Sequence, residues 1–272
     1  MRKRNKQFKD FKGSRNKTSV STERGDWIYG RRPVLEVLDS KARHIYEAVL
    51  PLTGKDKPEV AHIRASVLER GIPFKLMERE ELDDLCEGGN HQGVALRTGS
   101  FPYISFEQIV HDVKEDANAL VLLLDHIEDP QNIGSLLRSA NAAGVTGVVI
   151  PEDRSAGVTP AAVRASAGAS EYMRVAKVVN LVRAIKSLQA EGVWVSALDM
   201  GDDSRDYTEV DFKGRVALVV GSEGKGVSRL VRETSDFVAS LPMHGKVASL
   251  NAGVAGAVAM YEILRQRGPK TD

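Results

Sequence analysis

Short apolar runs alternate with stretches of helical period along nearly the whole chain. From Ala119 onward the runs are almost continuous: Leu120–Leu124, Gly147–Ile150, Val193–Leu198 and Val216–Val220. Each has strand length, and between or after them come three helical segments: Ile133–Ala143, stopped by Gly144, Leu181–Glu191 and Asn251–Arg267. Strands that are apolar on both faces and separated by helices predict a parallel sheet covered on both sides. The pattern before residue 100 is similar but smaller. Order is expected to begin at Trp27-Ile28-Tyr29-Gly30. Pro33 then opens a short helix through Val34, Leu35, Val37 and Leu38. Ile45–Leu50, Phe74–Met77 and Val94–Arg97 read as three strands. Glu59–Arg70, closed by Gly71, and Glu80–Cys86 read as helices. Phe106, Ile109, Val110 and Val113 carry helical period inside Ser100–Asn118, predicting a linker helix. The expectation is α/β throughout: a basic arm over residues 1–25, a small α/β module over 26–98, a linker over 99–118, and a parallel-sheet domain over 119–272. No internal repeat at a fixed period is visible.

Charge changes this picture at one end. The net charge is only +1. Residues 1–24, however, hold nine Lys and Arg against Asp10 and Glu23, so the arm carries +7 and the remainder −6. A basic arm on a slightly acidic body suits phosphate binding by counterion release. It also suits a solvated, disordered tail, and less well an organelle transit peptide, since lysines outnumber arginines and no apolar face recurs at helical spacing. No apolar run approaches the ~18 residues of a membrane span, and no secretory leader is visible. The single cysteine, Cys86, permits no internal disulfide and no cysteine-based zinc site. The cytoplasm is the expected location.

Candidate chemistry concentrates where parallel strands end, because ligands of open sheets bind beyond the carboxyl ends of strands. The first strand runs into Asp125-His126-Ile127-Glu128-Asp129-Pro130-Gln131-Asn132-Ile133-Gly134 and a helix bearing Arg138. A second runs into Gly221-Ser222-Glu223-Gly224-Lys225-Gly226, and a third segment, Leu241 to Asn251, opens the last helix. The glycine-rich loop is not a phosphate loop of the Walker type, because Val227 stands where Lys should follow. It is not a dinucleotide fingerprint either, because Arg229 stands where the third Gly belongs. The six histidines, His44, His62, His91, His111, His126 and His244, show no zinc-ligand spacing. His91 and His244 are expected to make ordinary hydrogen bonds. No Ser sits at a nucleophile elbow.

Together the three segments are specific. Asn132-x-Gly134-x-x-x-Arg138, Gly221-Ser222-Glu223-Gly224-x-Gly226 and Pro242-Met243-x-Gly245-x-x-x-Ser249-Leu250-Asn251 resemble, in order and spacing, the three motifs of the SpoU (TrmH-type) RNA ribose methyltransferases. The resemblance spans about residues 119–267. Residues 27–97, with Ile28-Tyr29-Gly30, Val34 and His91-Gln92-Gly93, look like that family's ribosomal-protein-like substrate-binding domain. The resemblance implies a trefoil knot at the carboxyl end of the sheet and a homodimer. It implies S-adenosylmethionine held by backbone groups near Gly221, Leu241 and Leu250, with no metal. It also implies methyl transfer to a ribose 2′-hydroxyl of RNA, with a guanosine of large-subunit ribosomal RNA as the expected target. A transfer-RNA enzyme of the same family and a non-catalytic ribosomal-RNA assembly factor are the alternatives. One departure is Gly253, where the family often carries Ser.

The resemblance assigns catalysis to Arg138, Asn132, Glu223, Ser249 and Asn251. A guanidinium, whose pKa lies above about 12, is a poor proton acceptor. The family proposal of Arg138 as base, assisted by an RNA phosphate, therefore stands beside anchoring of phosphate and stabilisation of the developing alkoxide. Each residue also has a plain reading. Arg138 could be an ion-paired surface residue. Asn132 could cap the helix that follows, and Glu223 could be a first-turn acid, whereas the resemblance has it orient Arg138 or the target nucleoside. Ser249 and Asn251 could cap the last helix.

Overall fold

The computed structural model describes residues 25–52, 57–247 and 249–268. The basic arm, residues 1–24, lies outside them. The first module contains β1 (Asp26–Tyr29), α1 (Arg31–Ser40), β2 (Ile45–Pro51), α2 (Pro58–Glu69), β3 (Phe74–Met77), α3 (Arg79–Leu85) and β4 (Ala95–Thr98). Its sheet runs in the order β1-β4-β2-β3; β4 is antiparallel to both neighbours, while β2 and β3 are parallel. The apolar pattern predicts three strands here. The fourth, β1, has only Ile28 fully buried, so its alternation is too short to read, and pairing with β4 makes it a strand.

Helix α4 (Phe106–Glu115) follows, started by a capping box in which Ser105 and Gln108 satisfy each other's backbone amides. Its Ile109 and Val113 are fully buried with β5 and α7 residues, so the helix expected as a linker also covers one face of the large sheet. The large module then runs β5 (Leu120–Asp125), α5 (Pro130–Ala142), β6 (Gly147–Pro151), α6 (Pro160–Ala165), β7 (Val175–Val178), α7 (Leu181–Ala190), β8 (Trp194–Leu198), β9 (Arg205–Asp206), β10 (Val216–Gly221), α8 (Arg229–Thr234), β11 (Phe237–Ser240) and α9 (Ala252–Arg267). The pattern does not reveal α6, β7, β9, α8 or β11. None exceeds six residues, which is too short for a period to emerge.

All the pairings of the seven-stranded sheet are parallel, in the order β7-β6-β5-β10-β8-β11-β9. Alternate residues of β5 serve opposite layers. Leu120, Leu122 and Leu124 pack with α5 and α9, whereas Val121 and Leu123 pack with α4 and α7. Each such side chain contributes about 1.5–3 kcal/mol relative to remaining exposed. The chain runs outward from β5 through β6 and β7, and β8, β11 and β9 lie on the other side of β10, so the sheet changes direction at the β5–β10 pair, where Asp125 lies opposite Gly221. A crevice therefore opens there beyond the strand ends.

A polar lock joins the modules. Arg43 donates from Nε and Nη2 to the two oxygens of Glu171 at 2.8 and 2.7 Å, with both side chains fully buried. The Arg43 guanidinium also lies over Phe101, and that of Arg164 lies 4.1 Å from the Tyr29 ring centroid. The Tyr172 hydroxyl donates to Glu36 at 2.9 Å; burial, reinforced by that carboxylate, pushes its pKa up to about 12. Apolar packing runs unbroken across this seam from Ile28 and Val34 to Met173.

Candidate active site

Asp129, not Asn132, caps α5: its carboxylate accepts from the Gln131 amide at 2.9 Å, with Pro130 in the first turn. Asn132 is thereby released for another task. It is buried, and its amide Nδ2 donates to Glu223 Oε1 at 2.9 Å. Asn251 Nδ2 donates to the same oxygen at 2.5 Å and lies 2.8 Å from Asn132 Oδ1. Asn251 does cap α9, accepting from the Val254 amide through Oδ1. One residue from each of the three sequence motifs thus meets in a single bonded trio.

Glu223 is not in the first turn of a helix. It lies in the loop after β10, where the Ala252 amide at the start of α9 reaches it at 3.4 Å. The favourable helix dipole acts on it across space, from a helix remote in sequence. Its Oε2 accepts no hydrogen bond from the described residues and is open to a ligand. Arg138 is not brought to this trio. It is exposed on α5 and makes no hydrogen bond or ion pair among the described residues, so the expected contact with Glu223 is absent within one chain. Six residues separate it from Asn132, about 9 Å along the helix axis and on another face. It sits one turn beyond Ser135, which faces Gly253 at the start of α9. The Gly253 departure has a steric reading: a side chain there would crowd Ser135.

Beside the trio lies a cleft of about 370 Å³. The ends of β8 and β10, the loop after β11 and the start of α9 form it, and Gly221, Leu241, Ser249 and Leu250 all line it. Gly221 is required by the loop itself, because a Cβ there would run into the backbone of Gly226. Leu198, Val220 and Ala255 give the cleft apolar walls, and Asp199 and Glu223 give it carboxylates. Asp199 and Met200 are not picked out by the sequence motifs. The one signal for them is their place just after β8, the strand adjoining β10. An apolar slot of this size, with exposed backbone and two acids, fits a nucleoside that carries a positive sulfonium. A second cleft, of about 460 Å³, lies on the other side of the glycine loop and shares Ser222, Glu223, Lys225 and Gly226 with the first. Asn132 and His126 also line it. His126 Nδ1 is 2.5 Å from buried Asp125, whose other oxygen accepts from the Ser228 amide.

His91 makes two ordinary bonds, to Asp83 through Nε2 and from the Gly93 amide to Nδ1, each at 3.0 Å. His244 is exposed. Among the described residues, no group of three or more His, Cys, Asp or Glu side chains is placed to hold a metal ion, and no helix is long and apolar enough to cross a membrane.

Comparison with known proteins agrees with this geometry. The SpoU rRNA Methylase family matches residues 119–261, and the domain described as RNA 2′-O ribose methyltransferase substrate binding matches residues 27–104. The 23S rRNA (guanosine-2′-O-)-methyltransferase RlmB of Xylella fastidiosa is 38% identical over 250 residues, covering 90% of this chain and 98% of that protein. The enzyme of the same name from Vibrio vulnificus is 35% identical over 242 residues, covering 89% and 97%. Among solved structures, the SpoU methyltransferase AviRb from Streptomyces viridochromogenes, in complex with the cofactor AdoMet, shares the fold with a TM-score of 0.74. It is 24% identical and covers 94% of each chain. Motifs, fold and relatives agree: this chain belongs to the SpoU rRNA methylase family.

Proposed function

We propose that this protein transfers a methyl group from S-adenosylmethionine to the ribose 2′-hydroxyl of a guanosine in large-subunit ribosomal RNA. The observation that carries the reading is the Asn132–Glu223–Asn251 trio, which ties all three family motifs to the rim of one cleft. When bound, S-adenosylmethionine supplies an electrophilic methyl group on a sulfonium. The chain supplies walls from Leu198, Leu241 and Leu250, backbone from the glycine loop, and a carboxylate at Glu223. The family's knot, in which the second and third motif loops close around the cofactor, suits a cleft lined by these two loops. Asn132 and Asn251 fix the Glu223 carboxylate, so its free oxygen is oriented before substrate arrives. Ser249 lines the same cleft and is placed to meet the ribose or cofactor.

Arg138 carries the catalytic cation in this reading, anchoring a phosphate and stabilising the developing alkoxide. A homodimer brings it to the site. Val254, Val258 and Tyr261 form an exposed apolar stripe at helical spacing along α9, beside the Ser135 region of α5. A second copy packed there covers the stripe and places Arg138 at the shared boundary. The protein acts in the cytoplasm, where its RNA partner is made.

The test is transfer of labelled methyl from S-adenosylmethionine to ribosomal RNA lacking the modification, followed by nucleoside analysis. A 2′-O-methylguanosine in large-subunit RNA is the expected product. Label in transfer RNA alone, or on a base, would overturn the assignment.

A further inference from the structure

A cleft of about 600 Å³ lies in the first module, away from the proposed methyl-transfer site. We propose that it holds one unstacked nucleotide of the RNA substrate, distinct from the nucleotide that is methylated. This rests on the reading of the chain as an RNA methyltransferase. The cleft forms where β2 and β3 end side by side, Pro51 paired with Met77, and where α2, α3 and the 87–93 turn converge. Its floor is apolar, built from Pro51, Leu52, Val60, Met77 and Leu82. Leu52 is 50% exposed, which leaves apolar surface open for a flat ring to cover.

The walls are polar and set by the fold. Glu87, Gly88, Gln92 and Gly93 all have positive φ, between 51° and 88°, so the turn folds back on itself. Buried His91 pins it between Asp83 and the Gly93 amide. Gln92 Oε1 accepts from the backbone and Nε of Arg31, so the amide is oriented while its Nε2 donates to no described residue. The Asn90 amide is exposed at the same wall and makes no side-chain hydrogen bond among the described residues. Two amide side chains thus present donors and acceptors over an apolar floor. That combination recognises a base, whose face is apolar and whose edges hydrogen-bond.

Cations complete the rim. Lys57 is exposed without an ion pair among the described residues, and Arg31 and Arg79 stand on either side. The neighbouring acids are engaged within the protein: Glu78 in the capping box of α3, Asp83 with His91 and Arg79, Glu59 with Arg31. Backbone hydrogen bonding at its own helix start, and then the charges of Arg31 and Lys57, hold the Glu59 carboxyl below its ordinary range. Lys57 is thereby left at the rim with no ion pair among the described residues, which suits a phosphate flanking a splayed nucleotide. The polar lock at Arg43 and Glu171 fixes this cleft relative to the large module, so an RNA filling it approaches the second site in a set register.

The experiment uses full-length protein, unmodified large-subunit ribosomal RNA carrying 4-thiouridine, and two variants at exposed positions, Leu52→Glu and Lys57→Glu. Irradiation should cross-link uridine to peptides containing Leu52 or Met77. Both variants should raise the apparent KM for RNA about tenfold, a change in affinity typical of removing one good interaction. Their kcat at saturating RNA, S-adenosylmethionine affinity and melting temperature should match the wild type. Wild-type kinetics in both variants, or cross-links confined to other surfaces, would overturn the cleft assignment while leaving the activity intact. Cross-linking at Leu52 or Met77 and weakened RNA binding in both variants, in a protein that transfers no methyl group, would keep the cleft and remove the activity.

Discussion

The two modules solve the same problem of holding polar groups beside an apolar surface, and they solve it at different ranges. In the large module, Asn132, Glu223 and Asn251 come from segments roughly ninety, thirty and more than a hundred residues apart and bond to one another directly. In the first module, the wall of the cleft is one short turn, residues 87–93, pinned locally by His91. The long-range site depends on the parallel sheet bringing strand ends together. The local site depends on backbone conformation. A perturbation of global packing should therefore disturb the first site more than the second, and the buried pair between the modules couples them.

The sharpest break in the comparison is at Arg138. Arg138→Ala should reduce kcat for methyl transfer by about 100-fold or more, as for removal of a transition-state interaction. S-adenosylmethionine affinity, measured by calorimetry, should change little because the residue does not line that cleft. RNA binding at the 87–93 cleft should also persist. A variant retaining most of its rate would remove Arg138 from the mechanism.

The seam comes next. Arg43→Ala leaves Glu171 buried without its partner, which typically costs about 3–5 kcal/mol. Burial already pushes the Glu171 carboxyl up, and Arg43 pulls it back, so losing Arg43 leaves only the penalty. Denaturant unfolding should show this loss, and replacing both residues with Leu and Met should recover most of it. A single variant as stable as the wild type would show that the modules are not coupled through this pair.

Acid should act differently on the last helix and on the seam between the modules. Glu262 on α9 is held below its ordinary value, first by the hydrogen bonds from Arg265 and then by Gln266, against the penalty of burial. A depressed carboxyl contributes stability above its unfolded value near 4.5, and that contribution is lost as pH falls through the folded value. Glu171 has the opposite sign. Its raised folded value means that its contribution is fully present below the unfolded value and is lost as pH rises through the folded one. Melting temperature should fall below about pH 4.5 in the wild type and fall less steeply in Glu262→Gln. Identical acid limbs would mean that Arg265 and Gln266 do not hold the ionised form.

The smallest effect concerns the arm. Deleting residues 1–24 removes +7 of charge and should flatten the salt dependence of RNA binding, by ~0.7–0.9 in log-log slope for each phosphate that the arm neutralises. The methylated nucleotide should not change, because the clefts rather than the arm meet bases. A shifted methylation site would show that the arm reads sequence.

The order of amino acids is enough to place the long elements and to bring out the three motifs. Continuous apolar runs such as Leu120–Leu124 are strands buried on both faces, and the runs ending at Leu124 and Val220 lead straight into motifs. The three motifs carry the family, and Gly221, Leu241 and Leu250, the residues expected around the cofactor, line one cleft. Which polar atoms meet is settled only by the folded chain. Asp129 rather than Asn132 caps α5, because the cap falls one residue before Pro130, and Asn132 is then free to reach Glu223 ninety-one residues away. Glu223 meets the dipole of α9 rather than that of a helix of its own, because the sheet sets the end of β10 against the start of α9. Short strands such as β1 and β9 exist only through their partners, since two to four residues carry no readable period. Periodicity records which face of an element is buried. Hydrogen bonds between remote side chains depend on a few ångströms of loop placement, and only packing fixes those.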